Sequence, residues 1–581
     1  MATTTGEAEE AGKAQHGAPG DTATAGPAPD ADTDAATTAA VSRPIGQLLQ
    51  EAGIITREQV EYALQIQRIS RERLGNVLQQ LRFATDREVA TVLAQQAGLP
   101  FESLAGALPD PEVLRQLPYN FAQRYEILPL RFVDGQLEVA IADPFDSAGT
   151  SRASRFTRYP LTLRVAPRGR LRQQIQRLYY FAEHPIDAEV ERIALDARAG
   201  RNYSPERLTE LLITGAVEVN ASDIHLNPTP IASLVSYRID GVMQLRYALP
   251  AAAHTRLVSA VKVAANMDIA EQNRPLDGRM TFEFLGERFD LRISTAPERN
   301  GESMVLRVLS GSGELISTEN VGFFPDQIEL LHRMVDIPYG LLLVTGPTGS
   351  GKSTTLYAGM RRINSMEKNI LTIEDPVEYD MPLVRQVSVN ERAGLTFASA
   401  IRSFLRHDPD VMLVGEIRDQ ETAQLAIRAA QTGHLVLSTL HTNDAAGAIV
   451  RMRDLGIESY LLSSSLVGIF AQRLLRQLCP HCKEAYTPSE QERERFGLQV
   501  ETIYRAQGCE RCMRTGYLGR SAVGEVIEMD DEIRARIDEN ANAMELQQLA
   551  VEKGMRTLWQ SALLLVEQGE TDLTEVERVI R

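Results

Sequence analysis

Eight residues constrain this chain more than any others: Gly346, Pro347, Thr348, Gly349, Ser350, Gly351, Lys352 and Ser353 make a complete G-x-x-x-x-G-K-[ST]. The octet follows the apolar run Leu341-Leu342-Leu343-Val344 and precedes Thr354-Thr355-Leu356-Tyr357-Ala358, which can open a helix. That is the strand, loop, helix setting of a phosphate-binding loop. Glycines let consecutive backbone N–H groups curl around phosphates at the positive end of the helix. Lys352 then reaches the β- and γ-phosphates of a nucleotide, and the Ser353 hydroxyl faces Mg²⁺. Residues 346–354, Thr354 included, are the expected nucleotide contacts.

A chain of 581 residues has room for about three to four domains. Its net charge of -17 argues against nucleic acid as the main partner, because neutralising phosphates takes clustered cations. No apolar stretch approaches the roughly 18 residues that cross a bilayer, and no charged-then-apolar leader opens the chain, so a soluble, cytoplasmic protein is expected. The four cysteines fall in two C-x-x-C pairs, Cys479/Cys482 and Cys509/Cys512. No βαβ pattern surrounds either pair, so they read as the ligands of a closed tetrahedral Zn²⁺ site and not as a redox couple.

Composition shifts along the chain. Residues 1–41 are Ala, Thr, Gly, Pro and Asp with almost no bulky apolar side chain, and read as a disordered tail. Residues 42–180 read as an N-terminal α+β domain that opens with an internal repeat. Residues 44–67 align with 73–96 without a gap, and each copy has a capping box, Thr56/Gln59 and Thr85/Glu88. The apolar residues that follow, Val60, Ala63, Leu64 and Val89, Val92, Leu93, have helical spacing. The charged stretch within 181–203 reads as a linker, 204–315 as a second α+β domain, and 316–475 as an α/β domain with a parallel sheet. A tetracysteine zinc subdomain, 476–520, and a helical region, 521–581, close the chain. The cysteines are expected in helical surroundings.

Two more apolar strands end in acid: Ile370–Ile373 runs into Glu374, Asp375, Pro376, Val377 and Glu378, and Val411–Val414 into Gly415 and Glu416. In a parallel sheet those ends converge on the ligand, where one carboxylate orients the attacking water and another supports Mg²⁺. A third strand, Leu435–Ser438, lies between His434 and His441. Both histidines are candidate γ-phosphate sensors, with structural hydrogen bonding as the alternative.

Taken together these segments resemble the secretion ATPase superfamily, the motors of type II secretion and type IV pilus assembly known as the GspE/PilB family. Gly346–Ser353 matches its Walker A, Glu374–Glu378 its Asp box, Val411–Glu416 its Walker B and Gly433–Asn443 its His box. The resemblance runs from about residue 42 to 581. It implies a RecA-like core, a PAS-like second domain that closes over ATP, and a hexameric ring. It also implies arginines at the phosphates, Arg279 and Arg292 from the second domain and Arg402 and Arg406 at the subunit boundary. Guanidinium groups stabilise the charge spread over the γ-phosphate oxygens whatever the family.

The N-terminal repeat is similar to a module that in some members binds cyclic di-GMP through two 24-residue motifs, with Leu49/Leu78 and Gln67/Gln96 at equivalent positions. Pro44 stands where the first motif begins with Arg, and Arg82 where the other copy has Gly53. A helical docking domain for a membrane-protein partner is the alternative. The resemblance implies an ATPase motor held at the inner membrane by its protein partners, where a platform protein assembles a pseudopilus or pilus. The rival class is a P-loop nucleic-acid translocase or conjugation-type motor.

Overall fold

The computed structural model describes residues 43–580 except Ala105 and residues 311–316. The proposed tail at 1–41 and the boundary near 315 lie outside the described residues. In the repeat, helices Ile45–Glu51 and Arg57–Ser70 are followed by Leu74–Gln80 and Asp86–Ala97. Both capping boxes form, and Leu49, Ala63, Val77, Leu78, Val89 and Val92 meet in one small core. Beyond the repeat, β1 (Ile127–Val133), β2 (Gln136–Ile141) and β3 (Leu161–Val165) form a three-stranded sheet covered by helix Arg168–Glu183.

The stretch read as a linker is instead helix Ile186–Arg198, with Ile186, Val190 and Ile193 buried against Leu208, Leu211 and Leu212 of the next helix. Apolar residues at i, i+4 and i+7 inside a charged sequence are enough to commit one face to a core. That core belongs to a six-stranded antiparallel sheet in the order β6-β5-β4-β9-β8-β7. Its strands are β4 (Asp223–Pro228), β5 (Ala232–Ile239), β6 (Val242–Pro250), β7 (Leu276–Phe284), β8 (Glu287–Glu298) and β9 (Gly301–Ser310). Arg279 on β7 sits directly opposite Arg292 on β8.

The largest sheet has seven strands in the order β12-β11-β13-β14-β10-β15-β18. Of these, β10 (Gly340–Thr345), β11 (Ile370–Glu374), β12 (Val384–Ser388), β13 (Val411–Val414) and β14 (Leu435–Leu440) are parallel. Every residue of β10, β11, β13 and β14 is buried, as expected for strands with helices on both faces. The sheet is extended by β15 (Leu466–Leu478), parallel to β10. A short ribbon of β16 (Glu484–Tyr486) and β17 (Ile503–Arg505) precedes β18 (Tyr517–Glu528), which returns antiparallel to β15.

The cysteines, expected in helical surroundings, instead lie in turns and a short 3₁₀ helix between strands. Cys479 and Cys482 follow β15, and Cys509 and Cys512 precede β18. The sequence of β15 is rich in Leu, Gln and Arg, which suit a helix, but pairing on both sides outweighs that local preference. One short helix, Glu490–Phe496, lies between the two cysteine pairs, and a run of helices follows from Asp531 onward.

Candidate nucleotide site and cysteine cluster

Because β10, β11 and β13 are parallel, the phosphate loop after Thr345, the acidic run from Glu374 and the Gly415-Glu416 pair emerge at one edge of the sheet. They enclose a cavity of about 380 Å³ lined by Thr348–Thr354, Glu374, Glu378, Glu416, His441 and Arg520 among others. That volume lies within the usual range for a small-molecule site.

Backbone geometry explains the glycines. Gly346 has φ +150°, and a Cβ there would sit 2.5 Å from the Gln472 carbonyl oxygen. Gly351 has φ +88° and immediately precedes the helix Lys352–Ile363. Lys352 Nζ donates to the carbonyls of Gly346 at 2.9 Å and Pro347 at 3.1 Å. Burial lowers its pKa, and the Glu416 charge works against that shift. The Ser350 Oγ is buried and has no hydrogen-bond partner among the described residues. A loop whose ammonium group is held by its own carbonyls and whose hydroxyl is unsatisfied is chemically ready for an anion.

The three carboxylates differ. Glu374 is 5% exposed and accepts from Tyr357 Oη at 2.5 Å and Thr372 Oγ1 at 2.6 Å. Burial raises its pKa, and these donors offset only part of the rise. Glu378 stands at the mouth of the cavity; burial raises it too, while the Ser353 hydroxyl and the Arg292 charge pull it down. Glu416 is ion-paired with Arg418 and lies 3.4 Å from His441 Nε2. Glu374 is thus a fixed wall, whereas Glu378 and Glu416 can exchange partners. An oxygen-only set of Ser353, Glu378 and Glu416 suits Mg²⁺.

His434 does not belong to this site. It precedes β14 at the opposite end, where its carbonyl accepts from Gly340 N at 3.1 Å and its Nδ1 lies 2.9 Å from the Ala429 carbonyl. Six residues of strand separate that end from the cavity by about 20 Å. It fastens the end of helix Gln420–Gln431, while His441, after the other end of β14, lines the cavity.

None of the four predicted arginines lines the cavity within this chain. Arg402 is ion-paired with Glu421, and Arg406 donates to the Arg402 carbonyl at 2.6 Å. Arg292 acts on Glu378 through its charge alone.

Two groups were missed. Gln472 of β15 is fully buried, donates to the Ser350 carbonyl at 2.7 Å and accepts from Thr355 Oγ1 at 2.8 Å, clamping the loop to its helix. Arg520 of β18 enters the cavity and lies 3.7 Å from Asp240, in the turn between β5 and β6. Nothing local in the sequence marks Gln472. Arg520 lies within the span of the resemblance, but outside the four motifs that carry it.

The cysteine sulfurs all lie within 4.8 Å of one another. Cys479–Cys509 is 3.9 Å, and Cys482–Cys512 and Cys509–Cys512 are each 3.7 Å. Four thiolates about 2.3 Å from one tetrahedral ion would be about 3.8 Å apart. A disulfide needs about 2.05 Å. Backbone N–H groups of Cys509 and Gly516 donate to Cys512 Sγ at 3.1 and 3.2 Å, contacts that orient the sulfur and favour its thiolate form. The donor set fits Zn²⁺.

Comparison with known proteins gives the family. Residues 201–578 match the family described as Type II/IV secretion system protein. The chain belongs to that family. Membership and an intact phosphate loop make it an ATP hydrolase. The chain is 39% identical over 538 residues to a type II secretion system protein E of Xanthomonas campestris pv. campestris, covering 89% of this chain and 94% of the relative. To the type IV pilus assembly ATPase PilB of Myxococcus xanthus it is 36% identical, covering 92% and 98%. The crystal structure of the pilus retraction motor PilT with bound ADP aligns at 31% identity and TM-score 0.45, over 64% of this chain and 96% of that one. Residues 97–185 match the MshEN domain, which begins after both copies of the repeat.

Proposed function

We propose that this chain is a hexameric ATPase that hydrolyses Mg-ATP to move an inner-membrane platform, driving assembly of a type II secretion pseudopilus or a type IV pilus. The observation that carries this reading is the convergence of Lys352, Ser353, Glu378 and Glu416 on one cavity, in a chain that aligns with almost the whole of a type II secretion protein.

Lys352 exchanges its two loop carbonyls for phosphate oxygens. Gln472 keeps the loop in place while that happens. Ser353 and the carboxylates would hold Mg²⁺, which would supply neutralisation of the phosphate charge. Glu416, released from Arg418, orients the attacking water with His441 beside it. The six-stranded sheet acts as the PAS-like lid: Arg279 and Arg292 close from it, while Arg402 and Arg406 reach the neighbouring subunit's phosphates. All four lie outside the cavity of a single chain, so closure and ring formation complete the site.

The cysteine cluster holds Zn²⁺ as a structural pin between β15 and β18. The N-terminal domain, 42–180, docks on the membrane-embedded partner. Co-purification from cells with and without residues 42–180 tests this. Loss of a polytopic membrane protein from the truncated sample is expected, and unchanged recovery rejects the docking role.

A second ligand reading rests on the MshEN match and on a polar cavity of about 270 Å³ lined by Arg73, Arg124, Arg168 and Arg172 together with Glu126, Asp143 and Asp146, in which Arg73 is paired with Asp143, and Arg168 and Arg172 with Glu126. Arg73 opens the second copy of the repeat. Once exchanged from those carboxylates, the guanidinium groups suit a doubly phosphorylated ligand such as cyclic di-GMP. Labelled cyclic di-GMP should bind the full chain and lose affinity in Arg73→Ala; no binding by the parent rejects it.

A further inference from the structure

The two capping-box residues Gln59 and Glu88 occupy matching places in the two copies of the repeat, and each makes a second contact. Both contacts go to the same target, the C-terminal end of the phosphate-loop helix Lys352–Ile363. Glu88 accepts from Arg361 Nη1 at 3.2 Å and Nη2 at 2.5 Å. Arg361 also donates to the carbonyls of Arg82 at 3.3 Å and Phe83 at 3.1 Å, which lie just before the second capping box. Gln59 donates to the carbonyl of Asn364, the C-cap of that helix, at 3.1 Å.

The contact is enclosed. The side chain of Arg361 is 9% exposed and that of Glu88 13%, while Gln59 is 8% and Asn364 3% exposed. An exposed ion pair contributes little, but a bidentate pair shut away from water is hard to open, because opening leaves a charge without a partner. The other end of the same helix carries Lys352 and Ser353. Arg361 follows Lys352 by nine residues, about 14 Å along one helix at 1.5 Å per residue. The group that touches phosphate and the group that the repeat grips therefore belong to one rigid rod.

We propose that the repeat at 44–96 is a clasp on the phosphate-loop helix, so that the state of the nucleotide cavity and the attachment of the N-terminal domain bias each other. Drawing Lys352 off its loop carbonyls and onto phosphate loads the helix at its N-terminus, and the clasp at its C-terminus resists or follows. Coupling of this kind is reciprocal. Whatever docks on the N-terminal domain and loosens Arg361 changes nucleotide affinity, and nucleotide changes how firmly the repeat is held. The proposal rests on the ATP reading of the cavity.

The test is amide hydrogen exchange in the full chain with and without a saturating non-hydrolysable ATP analogue, with occupancy read independently from a fluorescent nucleotide. Nucleotide is expected to change exchange of the peptides spanning 57–63 and 82–92. In Arg361→Ala those peptides exchange fast whether or not nucleotide is bound, and nucleotide affinity shifts by about 5-fold or more, the lower end of typical allosteric coupling. Glu88→Gln and Gln59→Ala leave the ATPase core untouched, and both should shift exchange in the same direction even if Arg361→Ala fails to fold. Repeat peptides indifferent to nucleotide in a chain that demonstrably binds it overturn the clasp. So does a nucleotide-dependent change that persists undiminished in the variants. A chain that binds no nucleotide rejects the ATP reading, and the coupling with it.

Discussion

The two sides of the nucleotide cavity are built differently. The carboxylate and phosphate-loop side rests on fully buried parallel strands, and its groups already touch: Lys352 on its loop carbonyls, Ser353 with Glu378, Glu416 with Arg418 and His441. The arginine side stands elsewhere, with Arg279 and Arg292 on the sheet of β4–β9 and Arg402 tied to Glu421 on the surface. On the proposed reading, binding is a property of one chain, whereas turnover needs groups that must be brought in. Preorganised donors catalyse best when they need not move, so on that reading a split site would withhold catalysis until the ring is assembled.

The largest expected effects fall on the preformed side. Lys352→Ala should lose both nucleotide binding and turnover. Glu416→Gln should still bind, measured with a fluorescent nucleotide, while phosphate release falls by roughly 10²-fold or more, because an amide keeps the shape but cannot organise metal and water. Parental turnover in Glu416→Gln would move catalysis off this carboxylate and dissolve the contrast between the two sides.

A smaller effect is expected at the cysteine cluster, which touches neither side directly. Elemental analysis should find about one zinc per chain. Cys479→Ser or Cys512→Ser should lower the melting temperature with nucleotide affinity changed by less than about threefold, since a closed four-thiolate site stabilises fold and performs no chemistry. Metal-free protein of full stability would reject the structural-zinc role.

The smallest effect separates the histidines. His434→Ala removes a hydrogen bond at the far end of β14, so stability should fall by about 1 kcal/mol with turnover nearly unchanged. His441→Ala should instead lower turnover with stability nearly unchanged. Equal kinetic losses would mean that the strand end does not decide the role.

What the sequence made legible was local. The octet, the acidic strand ends, both capping boxes and the paired C-x-x-C spacings each lie within a few residues, and each formed as expected. The errors were relational. His434 and His441 bracket one strand symmetrically in the sequence, but a parallel strand has only one end at the ligand. Helix Ile186–Arg198 was hidden by its charge, although Ile186, Val190 and Ile193 share one face. The strand character of Leu466–Leu478 comes from its neighbours β10 and β18, and so does the place of Gln472 behind the phosphate loop. Arg520 enters the cavity from β18, far along the chain from every motif that defines the site.

The central claim is that one chain binds and several chains turn over. Phosphate release per chain, measured against protein concentration across the range in which rings dissociate, tests it most directly. Arginines supplied in trans contribute about 10³- to 10⁵-fold in P-loop enzymes, so specific activity should collapse by at least about 10³-fold on dilution to monomers that still bind nucleotide. Specific activity that stays constant down to demonstrably monomeric protein would contradict the account and leave the arginines as structural ion pairs.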